Sequence, residues 1–502
     1  MRLIKVMDSS FKTLVINNQI YLEENESSPL LLVFKLKNDI MKRIILSIAA
    51  TSLLIVSCKN SQVSKQESTQ KSVVKSNITD EQLMDKVQKD ALKYFWDYAE
   101  PNSMLGRERY HEDNIYPDND KHVVTTGGSG FGLATILVGV ERGFISRKDA
   151  VKRLTTMMDF LAKADRHKGA WSHWINGETG KTVPFGKKDN GGDLVETAFL
   201  TTGIIQVREY FKNGNAEEKA LAKKCDELWK GIQWNWYTKG GEKVLYWHWS
   251  PEYQWEMNFP LEGYNECLIT YILAASSPTY SIDAETYEKG WTRNGTYLSD
   301  KEKYGLPMYV KHNGAEEYGG PLFWAQYSYI GLDPTNLSDK LIKNYFDLNK
   351  NQVLIDYKYC VENPKQWKGY GPNYWGLTAG YSRNKDGSVG YDAHFPQNDH
   401  GVITPTAALS SFPYLPKESM DFLRFIYTQK PEFIGSAGPY DATSINYDNW
   451  TTPRYLAIDQ GTIAPMIENY RTGFLWKLFM NAPEIQKGLK KLDFKSEKYN
   501  IK

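Results

Sequence analysis

The chain has 502 residues, with 61 basic and 60 acidic side chains and a formal net charge of +1. That balance gives no electrostatic reason to expect nucleic acid or an anionic membrane surface as partner. Hydrophobic residues make up 41%, enough for a large core, which excludes a disordered chain. The 33 Tyr and 15 Trp suit stacking on sugar rings but also fill large cores, and the core use is the default.

Met41-Lys42-Arg43 is a basic start, and Ile44 to Val56 is an unbroken run of apolar or small residues. The run is too short to span a bilayer, which takes about 20 residues. It ends in Ile55-Val56-Ser57-Cys58, which resembles a bacterial lipobox, so 41–58 reads as a lipoprotein signal peptide cleaved before a lipidated Cys58. Residues 1–40 then read as an over-extended N-terminus, and the Ser/Gln/Lys-rich stretch 59–77 as a flexible tether. The expected location is the outer membrane, anchored in lipid through Cys58, on the periplasmic or surface side. Cys225, Cys267 and Cys360 remain, too few for a disulfide framework.

From residue 78 to 497 the pattern is one helical body. Thr79-Asp80-Glu81-Gln82 is a capping box ahead of Leu83, Val87, Ala91, Leu92 and Phe95 at helical spacing. Ser146 to Asp149 resembles a second box, leading into Val151, Leu154, Met157 and Leu161. Further helical patterns cover 127–142, 191–211, 216–233, 262–275, 283–290, 319–329, 338–348, 403–411, 417–428 and 462–480. Loops dense in Gly, Pro, Trp and Tyr separate them, notably 235–260 and 364–402. There is no βαβ alternation, which argues against Rossmann and TIM architectures. About a dozen helices without a short repeat fit an all-α (α/α)6 toroid with long aromatic-rich loops at one mouth.

Familiar motifs fall away. Gly128-Ser129-Gly130-Phe131-Gly132 lacks the third fingerprint glycine and a surrounding βαβ unit, so tight helix packing explains it better. No Walker loop, HExxH or G-x-S-x-G elbow occurs. Asp392, His394, Asp399 and His400 fit loop hydrogen bonding better than a metal site.

Acids set in apolar sequence remain. In "GGDLVETAFL" Asp193 and Glu196 stand three apart, side by side on a helix with little polar face, with Asp189 just ahead. Glu266 shares a predicted helical stripe with Ile269 and Leu273 in "EGYNECLITYILAASSP". Asp459 stands just ahead of an apolar helix in "RYLAIDQGTIAPMIENYR". Burying an ionised carboxylate is expensive unless something pairs with it or uses it. Desolvation raises a carboxyl pKa, which suits a general acid, and glycoside hydrolysis needs two such groups. The plainer readings make Asp459 an N-cap, Glu196 a partner of a buried Arg and Glu266 a loop anchor.

These residues lie in segments that resemble the glucoamylase-like family of bacterial (α/α)6 proteins, and within it glycoside hydrolase family 144, which degrades β-1,2-glucan. The matching stretches include "GFGLATILVGVERGFISRKDA", "WSPEYQWEMNFPLEGYNECLITYILAASSPTY", "GGPLFWAQYSYIGLDP", "ITPTAALSSFPY" and "PRYLAIDQGTIAPMIENYRTGFLWKLFM". The resemblance implies an inverting hydrolase of β-1,2-glucan, endo-acting or releasing sophorose from a chain end. It implies Glu266 as acid, Asp459 as distant base, and Asp189, Asp193 and Glu196 as shapers of the sugar cleft. Trp171, Trp174, Trp249, Trp255 and Trp375 are candidate stacking walls, each equally placed to be core. The substrate partner is a β-glucan oligo- or polysaccharide, and the reaction requires no metal or organic cofactor. The rivals are a polysaccharide lyase on the same toroid, which would want a cationic cleft, and a non-catalytic glycan-binding lipoprotein, which gives no reason to bury Glu266.

Overall fold

The computed structural model describes residues 77–116 and 120–502. The expected N-terminal over-extension, signal peptide, Cys58 and tether up to residue 76 lie outside the described residues. The described chain is mostly helical, with short strands at the helix entrances.

Two kinds of helix alternate along the sequence. α1 (Asp80–Trp96) starts at the predicted capping box, with Thr79 and Gln82 bonded reciprocally, and buries one face through Leu83, Val87, Ala91 and Phe95. α2 (Thr126–Glu141) is buried on every side from Thr126 to Gly139. α3 (Arg147–Lys163), capped by Ser146, is again one-sided, whereas α4 (Leu194–Phe211) is buried almost throughout. α5 (Ala216–Lys230) has a capping box of Asn215 and Glu218 and one buried face, and α6 (Leu268–Ser276) is wholly buried. A helical turn over Ala284–Trp291 follows. Two 3-10 turns, Leu322–Ala325 and Ser328–Ile330, are buried except for Phe323. α7 (Tyr345–Glu362) and α9 (Pro416–Gln429) flank the buried α8 (Pro405–Leu409). α10 (Ala457–Thr472) is buried nearly all round, and α11 (Phe474–Met480) and α12 (Pro483–Lys491) end the chain. The all-buried α2 packs on α4 and on α10, and the one-sided α1, α3 and α5 cover them. An apolar helix surface has to be enclosed by other elements, and amphipathic helices enclose it while facing water.

The glycines of α2 permit this packing. A Cβ on Gly130 would lie 2.3 Å from the Phe199 carbonyl oxygen, and one on Gly203 would lie 2.3 Å from that of Gly130, so α2 and α4 meet backbone to backbone.

Several expected elements differ. The 319–329 pattern forms the two 3-10 turns rather than one helix. The helix expected over 338–348 instead runs 345–362, because Asn344 caps it through the N–H groups of Phe346 and Asp347. Helix α4 begins at Leu194 and α6 at Leu268, later than 191 and 262. In the second case the Asn265 side chain accepts the Cys267 N–H and the Ser328 hydroxyl donates to the Glu266 carbonyl, holding 265–267 in a turn.

Short strands fix the entrances of three buried helices at one end of the molecule. Val123–Thr125 pairs with Trp174–Asn176 and leads into α2. Gly192–Asp193 pairs with His248–Trp249 and leads into α4. Arg454–Leu456 pairs with Arg109–His111 and leads into α10. A nearby hairpin, Ala379–Arg383 with Val389–Ala393, sets Tyr381 opposite Tyr391.

Candidate functional site

The acids singled out in the sequence sit where those helices begin. Asp193 is the N-cap of α4: its Oδ1 accepts the N–H groups of Val195 at 3.0 Å and Glu196 at 2.9 Å. It therefore stands at the helix entrance and not, as its spacing suggested, on a face beside Glu196. Glu196 in the first turn accepts the N–H of Gly127, the second residue of α2, at 2.8 Å. A Cβ on Gly127 would come within 2.4 Å of that carboxylate and displace it from this position. Helix N-termini carry partial positive charge and favour such anions.

Two histidines balance this group. His173 Nδ1 lies 3.1 Å from Asp193 Oδ2, and the ring stacks on Phe185 at 3.9 Å. His248 Nδ1 lies 3.3 Å from Asp189 Oδ1 and 3.8 Å from Asp193 Oδ2. Burial opposes a charge on His173, but Glu196, Asp193 and Asp189 outweigh it and raise its pKa to about 10. His248 is raised by Asp189 and Asp193 in the same way. Burial would push Asp189 up, yet His248 and His173 hold it below the ordinary carboxylate range. Donor atoms of His173, Asp189 and Asp193 lie within 4.8 Å of one another, a set that could hold a divalent ion. With His173 protonated, that charge is met by imidazolium instead. Glu196 is raised to about 7, by burial first and Asp193 next, against the pull of His173.

Glu266 lies in the turn ahead of α6 and not on a helical stripe, yet it is only 5% exposed. Its Oε2 has no hydrogen-bond partner. Burial, with Glu196 and Asp193 adding repulsion, pushes it up to about 8, so it is protonated at neutral pH. Asp459 is in the first turn of α10 and is 3% exposed. Leu456 occupies the N-cap position without a side-chain bond, so Asp459 is not a cap. Its Oδ1 accepts the Tyr327 hydroxyl at 3.3 Å, while Oδ2 is buried without an ordinary donor. Burial and the neighbouring Asp441 hold it far above the usual carboxylate range. Glu196 links the two ends, since its charge bears on both Glu266 and Tyr327.

A carboxyl left protonated near pH 7, other carboxyls around it and a shortage of cations make an arrangement fit for moving protons. Two surface hollows, at Arg142–Glu468 and at Arg208–Glu484, lie by the opposite helix ends and are lined by ion pairs.

The profile of the family described as "Putative glucoamylase" matches residues 258–483. An endo-β-1,2-glucanase from Chitinophaga pinensis, solved with sophorotriose and glucose, is 54% identical, with a TM-score of 0.81 over 84% of this chain and 100% of that one. The chain belongs to the glucoamylase-like family. An exo-β-1,2-glucooligosaccharide sophorohydrolase (non-reducing end) of Parabacteroides distasonis is 44% identical over 435 residues, 83% of this chain. The chain spans 58% of the length of that relative.

In this glucoamylase-like chain the aromatic candidates divide. Trp171 is fully buried, gives its indole N–H to the Leu161 carbonyl and lies under Arg166 at 4.1 Å. Trp375 is also fully buried, with its N–H on the Glu418 carbonyl. Both are core residues and not sugar platforms, because neither offers a ring face. Trp174, Trp249 and Trp255 are half-buried, and the indole N–H groups of Trp174 and Trp249 lack partners.

The sequence reading passed over His173, His248, Tyr327 and Asp441. His173 lies in the quoted "AWSHW" segment and His248 between two tryptophans, a weak cue. Asp441 in "GPYDATS" gives none. The pairs Asp392–His400 and Asp399–Tyr370 are hydrogen-bonded loop anchors, as expected.

Proposed function

We propose that this chain is a glycoside hydrolase of β-1,2-glucan working by inversion. The observation that carries the reading is Glu266, a buried carboxyl with a free oxygen, kept protonated by burial and by acids that are themselves held in place. A general acid must give up a proton to the glycosidic oxygen as the bond breaks, and a pKa of about 8 keeps that proton available at pH 7. Asp459 deprotonates the attacking water, directly or through a relay, and Asp189, Asp193 and Glu196 with their histidines grip glucose hydroxyls. A lyase would want a cationic site, whereas carboxyls outnumber cations here.

The alternation of one-sided and all-buried helices supports a six-hairpin (α/α)6 toroid. In this reading α2, α4, α6, the turns at 322–330, α8 and α10 form the inner ring, and the acids lie at its N-terminal mouth. We further propose that Cys58 anchors the protein in the outer membrane by lipid. Cys58→Ser should release it to the soluble fraction, and equal membrane retention by both forms would refute the anchor.

The deciding experiment incubates the purified protein with linear β-1,2-glucan and follows products by chromatography and early-time NMR. Release of β-1,2-linked oligosaccharides with the α-anomer first is expected. No release would refute the substrate, and the β-anomer first would refute inversion.

A further inference from the structure

Asp459 faces a second carboxyl that this scheme leaves unused. Asp441 lies just ahead of the strand Thr443–Ser444 and is 5% exposed. Its Oδ2 accepts the Tyr381 N–H at 2.6 Å, and its own N–H donates to the Arg454 carbonyl at 3.1 Å. Its Oδ1 is buried without an ordinary donor, as is Asp459 Oδ2. The two carboxyls lie in hydrogen-bond contact with each other. Two ionised carboxylates in contact repel strongly in a dry site, and one proton between them turns the repulsion into a hydrogen bond.

The surroundings favour that proton. Tyr327 beside the buried turns, Tyr381 and Tyr391 from the hairpin, and Glu108 just ahead of the paired strands face the two acids, while Arg109 and Arg454 face Tyr381. Arg109 is engaged with Asp120 at 2.9 Å and Arg454 with Asp113 at 3.8 Å. Among the described residues no Lys or Arg stands within ion-pair distance of Asp441 or Asp459. Glu108 adds further negative charge.

We propose that Asp441 and Asp459 act as one unit sharing a single proton, with Asp441 the positioning residue that fixes the protonation state of Asp459. The catalytic part of the inference rests on the reading of Asp459 as base. Burial raises both groups, Asp441 to about 6. At neutral pH the unit bears one negative charge. As the water oxygen bonds to the anomeric carbon, its proton passes to the unprotonated oxygen of the unit. The glycosidic oxygen departs with the proton of Glu266. The unit then returns one proton to solvent, and Glu266 regains one.

Infrared difference spectroscopy on the whole protein at pH 7 tests the shared proton, because protonated carboxyls absorb apart from carboxylates. D441N and D459N should each lose the same single protonated-carboxyl band, and the double variant no further one. A band kept in D441N but lost in D459N, or kept in both, overturns the proposal. Asp441→Ser gives the same comparison should D441N fail to fold, as judged by thermal melting. This result does not depend on which glycan is cleaved, so failure of the substrate reading is seen separately. On β-1,2-glucan, D441N should lower kcat by about a hundredfold with KM unchanged. The double variant should fall no further than D459N, as expected of groups acting together. Losses that multiply would make the two acids independent and overturn the unit.

Discussion

Glu266→Gln should change how stability depends on pH, by an amount the structure sets. In the folded protein the carboxyl is held at about 8, against an ordinary 4.5. A carboxyl raised on folding binds more protons in the native than in the unfolded state between those values. Its presence therefore lowers stability as pH rises from 4.5 and ceases to do so above 8. At pH 7 about 2.5 pH units separate the solution from the unfolded value, each worth about 1.4 kcal/mol, for a cost of about 3 kcal/mol. At pH 5 the same reasoning leaves under about 1 kcal/mol. Gln does not titrate, so any constant packing effect cancels when the gap between variant and parent is followed across pH. For a body of roughly 400 residues, 1 kcal/mol corresponds to about 1 °C in Tm. Calorimetry from pH 5 to 9 should show Tm of the variant gaining about 2–3 °C on the parent between pH 5 and 7 and levelling off above about 8. Turnover of β-1,2-glucan should be lost throughout. A gap that stays flat over that range would show that Glu266 ionises like an exposed carboxyl, and the assignment of the acid would fall with it.

His173→Gln removes the cation between three carboxylates and should cost about 3 kcal/mol near neutral pH, read by urea unfolding. Because the folded pKa is raised to about 10 from 6.5, that loss should be full below 6.5 and shrink as pH rises through 10. Gly130→Ala drives a Cβ against the Phe199 backbone at 2.3 Å and should cost several kcal/mol or abolish soluble expression. Gly186→Ala, with nothing within 4 Å, should leave Tm unchanged. Trp171→Phe should lower stability by about 1–3 kcal/mol through the lost Leu161 hydrogen bond and Arg166 contact, while KM for the glucan stays as it was; a raised KM would return Trp171 to the site.

Local sequence determined which segments are helical and which carry anomalous acids. Thr79 and Gln82 cap α1 because a capping box needs only neighbours three apart. The apolar runs around Asp193, Glu196 and Asp459 announced buried helices because a stretch without a polar face has to be enclosed. The same logic noticed Glu266 but misplaced it on a helix, since the Asn265 turn and the Ser328 hydroxyl that hold it in a loop leave no mark on periodicity. α7 was displaced for a related reason: its run of Asn, Asp, Lys and Gln shows little contrast between faces, and its start depends on one cap.

Tertiary structure decided the protonation of His173, Glu266 and Asp459. His173 reaches Asp193 across 20 residues and Tyr327 reaches Asp459 across 132, and such partners are set by how strands and helices pack. Trp171 and Trp174 stand three apart in one segment, yet one is sealed under Arg166 and the other half-buried beside Phe185. Asp441, in a loop with no apolar pattern, became notable only when the paired strands leading into α10 brought it against Asp459. A carboxyl's pKa is fixed by the solvent it loses and the charges it meets, and both belong to the packed molecule.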